Sequence, residues 1–159
     1  MKKQKGFSLI ELLIVVAIIL IIAAIAIPNL MRARMSANES SAAGSIRTIN
    51  TAEVSYFTTY PTVGYTALTA LGMGTTSPCA PTSTLGCFID NTLASSGTGG
   101  GKDGYNFSVP TATTSTYTSL AAPVAINSTG TRAFCSDQTG VIYYNSGSAS
   151  CTPPATPLQ

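Results

Sequence analysis

One long apolar segment near the N-terminus limits what this chain can fold into. Residues 7–27 read FSLIELLIVVAIILIIAAIAI, and only Ser8 and Glu11 are polar within them. As an α-helix the segment is roughly 31 Å long, which is about the hydrocarbon thickness of a bilayer. At 159 residues the whole chain is one domain in length. The segment therefore predicts a helix that is kept away from water.

Composition and charge exclude most enzyme classes. The chain has no histidine and no tryptophan, and only 9% of its residues are charged. Histidine is the usual general base and metal ligand near neutral pH. Three lysines lie within residues 1–6, and without them the net charge of +2 becomes −1. The remaining basic residues form no extended stripe. We therefore expect neither catalysis, nor a cofactor, nor nucleic-acid binding.

A secretory signal peptide is the first alternative for the N-terminal segment. Lysines at positions 2, 3 and 5 resemble its basic start, and Ala24-Ile25-Ala26 offers a cleavage site. However, Glu11 lies inside the apolar run, and the run is longer than the usual 7 to 15 residues. It also continues into a second helix-like stretch. These features favour a retained helix over a removed signal.

The details that weaken the signal-peptide interpretation match another pattern. Residues 1–29, MKKQKG followed by FSLIELLIVVAIILIIAAIAIPN, resemble the N-terminal segment of type IV pilins and pseudopilins. The resemblance lies in the short basic leader, Gly6, Phe7, Glu11, the apolar run and Pro28. It implies that a prepilin peptidase cuts after Gly6 and methylates the new amine of Phe7. It also implies that the apolar helix anchors the subunit in the inner membrane and later forms a filament core.

Glu11 is a carboxylate at the start of an apolar helix. Cleavage after Gly6 would leave a cationic amine on Phe7, one helical turn from Glu11. A lone charge at the centre of a bilayer costs about 2.5 to 3.5 kcal/mol, so a cationic partner matters more there than in water. The Phe7 amine of the same chain could be this partner in the membrane, and the resemblance implies that the Phe7 amine of a neighbouring subunit is the partner in a filament. The alternative is that Glu11 lies at the membrane interface and reaches water.

Two further segments are expected to continue the helix and end it. Pro28 closes the apolar stem, residues 7–28, and is expected to kink or loosen the helix because it lacks an N–H. Residues 29–60 are predicted to form an amphipathic spine that stops at Tyr60-Pro61. Five residues are predicted to form its apolar stripe, with Arg47 and Asn50 turned elsewhere: Ile46, Ile49, Tyr56, Phe57 and Tyr60.

The rest of the chain is predicted to be a small head. Residues 61–104 indicate a loop region, and 95–101, SSGTGGG, a flexible loop tip. Within 105–151 the alternation of apolar residues predicts an antiparallel sheet of about four strands. The strands are expected at 105–109, 116–121, 132–135 and 141–144, with a turn at 136–140. The fold class is therefore α+β, with one long helix packed on the sheet.

Four cysteines, Cys79, Cys87, Cys135 and Cys151, all lie in the head. Export through the inner membrane would expose them to an oxidising compartment, where an even number indicates two disulfides. Three pairings are possible. We favour Cys79 with Cys87 and Cys135 with Cys151, because each pair closes a loop rich in Pro, Gly or Ser. Zinc ligation is disfavoured because no C-x-x-C motif occurs.

The sequence thus predicts a structural subunit that polymerises into a type IV pilus-like extracellular filament. The resemblance implies as partners copies of the same chain, a prepilin peptidase, an inner-membrane platform protein and an assembly ATPase. A major pseudopilin of a type II secretion system, in a periplasmic pseudopilus, is the first alternative. Its calcium site would draw on Asp90, Asp103 and Asp137, which is few acids for that cation. A membrane-anchored envelope protein that does not polymerise is the second.

Overall fold

The first element of the fold is one long helix. In a computed structural model, described for residues 7–74, 78–98 and 101–158, helix α1 spans Leu9–Thr59 without interruption. The chain divides into two compact units, Met1–Arg34 and Met35–Gln159, and α1 has residues in both. The end at Thr59 agrees with the predicted stop before Pro61. Pro28 lies inside α1, so the helix is not broken there.

The described part of α1 in the first unit is exposed along its length. Of the described helices, α1 is the one that is long and apolar enough to cross a membrane, with a window of mean hydropathy 3.3 and none of that window buried. A core helix of a water-soluble protein would be mostly buried instead. Within the described part of the chain, the apolar run from Leu9 to Ile27 is therefore uncovered apart from the half-buried Ala23.

The second unit contains an antiparallel sheet in which neighbours in sequence are neighbours in space. Its order is β1-β2-β3-β4-β5. The strands are β1 Tyr105–Ala112, β2 Tyr117–Pro123, β3 Arg132–Asp137, β4 Ile142–Ser146 and β5 Thr156–Pro157. The first four overlap the predicted strands, and the β3–β4 turn lies where it was expected. The fifth is a two-residue strand that pairs with β4 at Tyr143 and Tyr144.

The region before the sheet is more ordered than the sequence indicates. It contains two short helices, α2 Leu68–Leu71 and α3 Asn91–Ala94, followed by a 3₁₀ helix at Ser96–Thr98. The Asp90 side chain accepts the Leu93 N–H and so caps α3. Ser96 is fully buried and donates to the Leu93 carbonyl. The expectation of a flexible tip is therefore wrong at the start of 95–101; residues 99–100 lie outside the described part.

The main core lies between α1 and the sheet. Ile46, Ile49 and Tyr56 are fully buried, as the predicted stripe requires, and Phe57 and Tyr60 are half-buried. All of these except Phe57 pack with residues of the two short helices and of the sheet, among them Leu71, Leu93, Tyr105, Phe107 and Phe134. Phe57 instead stacks on Tyr65, with ring centroids 5.0 Å apart. The α+β fold class, with a long helix on an antiparallel sheet, is confirmed.

Two disulfides close loops of the second unit. Cys79 pairs with Cys87, and Cys135 in β3 pairs with Cys151, which are the pairings favoured from the sequence. Cys135 and Cys151 are buried in a second small cluster with Ala133. Cys79 and Cys87 are half-buried. The two bonds therefore differ in their access to solvent.

Candidate assembly segment and the contacts of the helix with the head

The N-terminus of α1 is capped by its own glutamate. Ser8 precedes the first helical residue, and its backbone N–H donates to Glu11 Oε2 at 2.8 Å. This is one half of a capping box, in which the third helical residue accepts from the residue before the helix. This cap was not predicted from the sequence, although the S-x-x-E spacing of Ser8 and Glu11 is a signal that could have revealed it. The contact satisfies a backbone donor that a bilayer could not satisfy.

The other predicted residues of the assembly segment are accessible. Phe7 is 78% exposed and lies before the helix. Glu11 Oε1 has no hydrogen-bond donor among the described residues, so it is open to a second donor. Gly6, at the expected cleavage site, lies outside the described residues. The apolar side chains that follow, from Leu9 to Ile27, are about half exposed or more, apart from Ala23.

Comparison with known proteins points to the same segment. A sequence profile described as the prokaryotic N-terminal methylation motif matches residues 1–27. The chain is 62% identical over 40 residues to the type IV wide pilus major component PilA4 of Thermus thermophilus, covering 25% of this chain and 30% of that protein. In its N-terminal segment, the chain is similar to members of the type IV pilin family.

A second relative in this family is the type IV major pilin protein PilA of Myxococcus xanthus. The identity is 47% over 55 residues, covering 35% of this chain and 25% of that protein. The matched stretches span less than a third of the length of either relative. The similarity therefore covers a minor part of each protein, and the head has to be interpreted from its own structure.

The first polar contact between α1 and the head involves Glu39. Its carboxylate accepts the Thr131 N–H at 2.8 Å and hydroxyl at 2.7 Å, and the Arg132 Nε at 2.8 Å. Burial alone would raise the pKa of Glu39, but these hydrogen bonds and the Arg132 charge hold it below its ordinary value. The Arg132 guanidinium lies 5.5 Å from the Phe134 ring centroid and 5.4 Å from that of Tyr144.

The second contact corrects the prediction that Asn50 is turned away from the core. Asn50 is buried, and its amide donates to Ser136 Oγ at 2.8 Å and accepts from the Tyr117 hydroxyl at 3.0 Å. Ser136 Oγ in turn donates to the Val141 carbonyl at 2.8 Å. A buried amide is tolerated when its donors and acceptors are paired. This network links α1 to β2, to β3 and to the β3–β4 turn.

The third contact is a carboxyl group in the apolar core. Glu53 is fully buried, and its Oε2 accepts the Thr66 N–H at 3.1 Å. Its Oε1 is buried and has no hydrogen-bond partner among the described residues. Burial raises the pKa of Glu53 to about 7, against a lowering by the single Thr66 hydrogen bond. A carboxyl group with such a pKa is partly protonated near neutral pH.

The three head aspartates are spread over separate structures. Asp90 caps α3, and Asp103 accepts from Ser41 and lies 3.5 Å from Lys102. Asp137 accepts from the Thr139 N–H and hydroxyl in the β3–β4 turn. Among the described residues no group of three His, Cys, Asp or Glu side chains comes together to hold a metal ion. Asp90 and Asp137 thus serve local contacts, and Asp103 joins Ser41 of α1 to the head.

Proposed function

We propose that this chain is a structural subunit that polymerises through its N-terminal apolar helix into a type IV pilus-like filament. The observation that carries the proposal is the exposed apolar run of α1 that follows Glu11, the residue that caps the helix N-terminus. An apolar surface of this extent needs lipid or other copies of itself around it. The motif match at residues 1–27 and the names of the two relatives support the same role.

In this proposal the chain is first a prepilin of the inner membrane. A prepilin peptidase removes residues 1–6 and methylates Phe7, and a platform protein and an assembly ATPase extract the mature subunit into an extracellular filament. The head, stapled by two disulfides, forms the filament surface. Pro28 supplies a site in α1 where a backbone hydrogen bond is missing and bending costs less.

Glu11 is proposed to align subunits during assembly. Its Oε2 holds the Ser8 N–H of its own chain, while Oε1 is open to the Phe7 amine of a neighbour. Pairing the two charges in an apolar filament core removes the cost of burying either alone. A subunit placed out of register would leave both charges unpaired, so the pair selects the correct register.

The test has two parts. Filaments sheared from cells are imaged by electron microscopy, and the subunit mass is measured. We expect a mature chain that begins at Phe7 with one added methyl group; a chain that begins at Met1 or Ile27 contradicts the proposal. Glu11→Gln should lower filament yield while the protein stays in the membrane, whereas the surface control Asp103→Asn should leave the yield unchanged. Normal yield from Glu11→Gln contradicts the pairing role.

A further inference from the structure

We propose that Arg32 and Arg34 bind the phosphate groups of anionic phospholipids at one surface of the bilayer, and so set the depth of α1 before assembly. This inference rests on the proposed function, because it requires the precursor to lie in a membrane. Both arginines are in α1, directly after the apolar run. Four observations on the described residues carry the proposal.

The first observation is that both guanidinium groups lack a partner. Arg32 and Arg34 are exposed, and neither forms a hydrogen bond or a salt bridge within the described part of the chain. By contrast, Arg132 is paired with Glu39 and Lys102 with Asp103. Guanidinium groups match phosphate geometry with two parallel hydrogen bonds, which makes them suited to headgroups.

The second observation is their distance from the other polar end of the apolar run. Glu11 and Arg32 are separated by 21 positions, which correspond to roughly 32 Å along an α-helix. This is about the hydrocarbon thickness of a bilayer. When Glu11 lies at one interface, Arg32 therefore lies at the other, at the depth of the lipid phosphates.

The third observation is the character of the residues just before the arginines. Leu30 is 70% exposed and Met31 is 52% exposed. No described part of the chain covers them, so they are available to acyl chains up to the first guanidinium. A long cationic side chain can then extend from the apolar boundary into the headgroup layer.

The fourth observation is the direction of the two side chains around the helix. Positions two apart on an α-helix are separated by about 200°, so Arg32 and Arg34 lie on nearly opposite sides of α1. A single acidic surface on a second copy could contact one side only. A headgroup layer surrounds the helix and contacts both. The geometry therefore favours phospholipid over a carboxylate-bearing partner.

The experiment uses the absence of tryptophan from the chain. Leu30→Trp introduces a single tryptophan beside the arginines, which can be excited apart from the tyrosines. The full chain is reconstituted in bilayers of mixed zwitterionic and anionic phospholipid, with brominated acyl chains on one lipid class or the other. Bromine quenches on contact, so the ratio of the two quenching curves gives the lipid preference around position 30.

We expect the Leu30→Trp chain to prefer anionic lipid by up to about fivefold for each arginine, because a cationic side chain near an anionic surface gains about 1 kcal/mol. Arg32→Gln combined with Arg34→Gln should reduce the preference to near equality. Arg47→Gln is the matched control: Arg47 is also exposed and unpaired within the described residues, but it lies in the second unit. It should leave the preference unchanged.

Equal quenching by the two lipid classes in the parent chain would overturn the inference. So would loss of the preference on adding millimolar inorganic phosphate, since that outcome assigns the site to a free anion. Arginine-dependent association of copies without lipid preference would assign the arginines to a second copy instead. Filament yield in cells is scored separately, so absence of filaments with the lipid preference intact refutes polymerisation and leaves the phosphate site standing.

Discussion

The buried carboxyl group of Glu53 predicts an unusual pH dependence of head stability. The folded-state pKa of about 7 lies above the ordinary value of 4.5. Below pH 4.5 the carboxyl group is protonated in both the folded and unfolded states, so the stability that the neutral group allows is fully present in the free energy of unfolding. As the pH rises towards 7, the unfolded chain ionises first and the folded state loses stability. Above about pH 7 the loss is complete.

The size of the effect follows from the two pKa values. A difference between 4.5 and about 7 corresponds to about 3 kcal/mol in the free energy of unfolding. Glu53→Gln removes the titration and keeps nearly the same shape. The free energy of unfolding of wild type, relative to the glutamine variant, should therefore fall by about 3 kcal/mol between pH 4 and pH 8. The comparison cancels any packing cost that does not depend on pH.

The assay is guanidinium unfolding of the full chain in nonionic detergent with both disulfides intact. Near-ultraviolet circular dichroism of tyrosine reports on the head, because Tyr65 packs on Tyr117 with ring centroids 4.7 Å apart. Glu39→Gln is the control of opposite sign. The pKa of Glu39 is lowered, so its contribution is present above the ordinary value and is lost as the pH falls through the folded-state value. We would reject the burial explanation if the difference in free energy of unfolding between wild type and Glu53→Gln stayed constant within about 1 kcal/mol from pH 4 to pH 8.

Four other outcomes are expected. Mild reductant followed by alkylation and mass spectrometry should open the half-buried Cys79–Cys87 bond before the buried Cys135–Cys151 bond; equal rates would contradict the difference in access. Replacing Cys135 and Cys151 together by alanine should lower stability in denaturant unfolding by about 3 kcal/mol, the chain-entropy value for a loop of about this length. Arg132→Met should lower the free energy of unfolding, measured with denaturant, by about 2 kcal/mol or more, because it leaves the buried Glu39 carboxylate without its cationic partner. A chelator should not change the melting temperature, whereas a calcium-dependent rise in it would favour the pseudopilin alternative.

The sequence by itself determined the long helix, the four main strands and the favoured cysteine pairing. The apolar run predicts its helix because 21 residues in a row have only two polar side chains. The four main strands follow from short alternating segments between turn residues. The cysteine pairing follows from loops closed over 8 and 16 positions. Each of these signals is contained within a short window of sequence, so no knowledge of the tertiary fold is needed to find it.

Only the tertiary structure decided what the polar residues of the spine do. Helical spacing placed Asn50 away from the core, yet its partners in the sheet lie 67 and 86 positions further along the chain. Glu39 similarly finds Thr131 and Arg132 more than 90 positions away. Burial of a polar group depends on whether a remote donor or acceptor reaches it, and that information is absent from any local window. Among the described residues, Glu53 has one donor for its two oxygens, the Thr66 N–H, and its burial in the folded head raises its pKa.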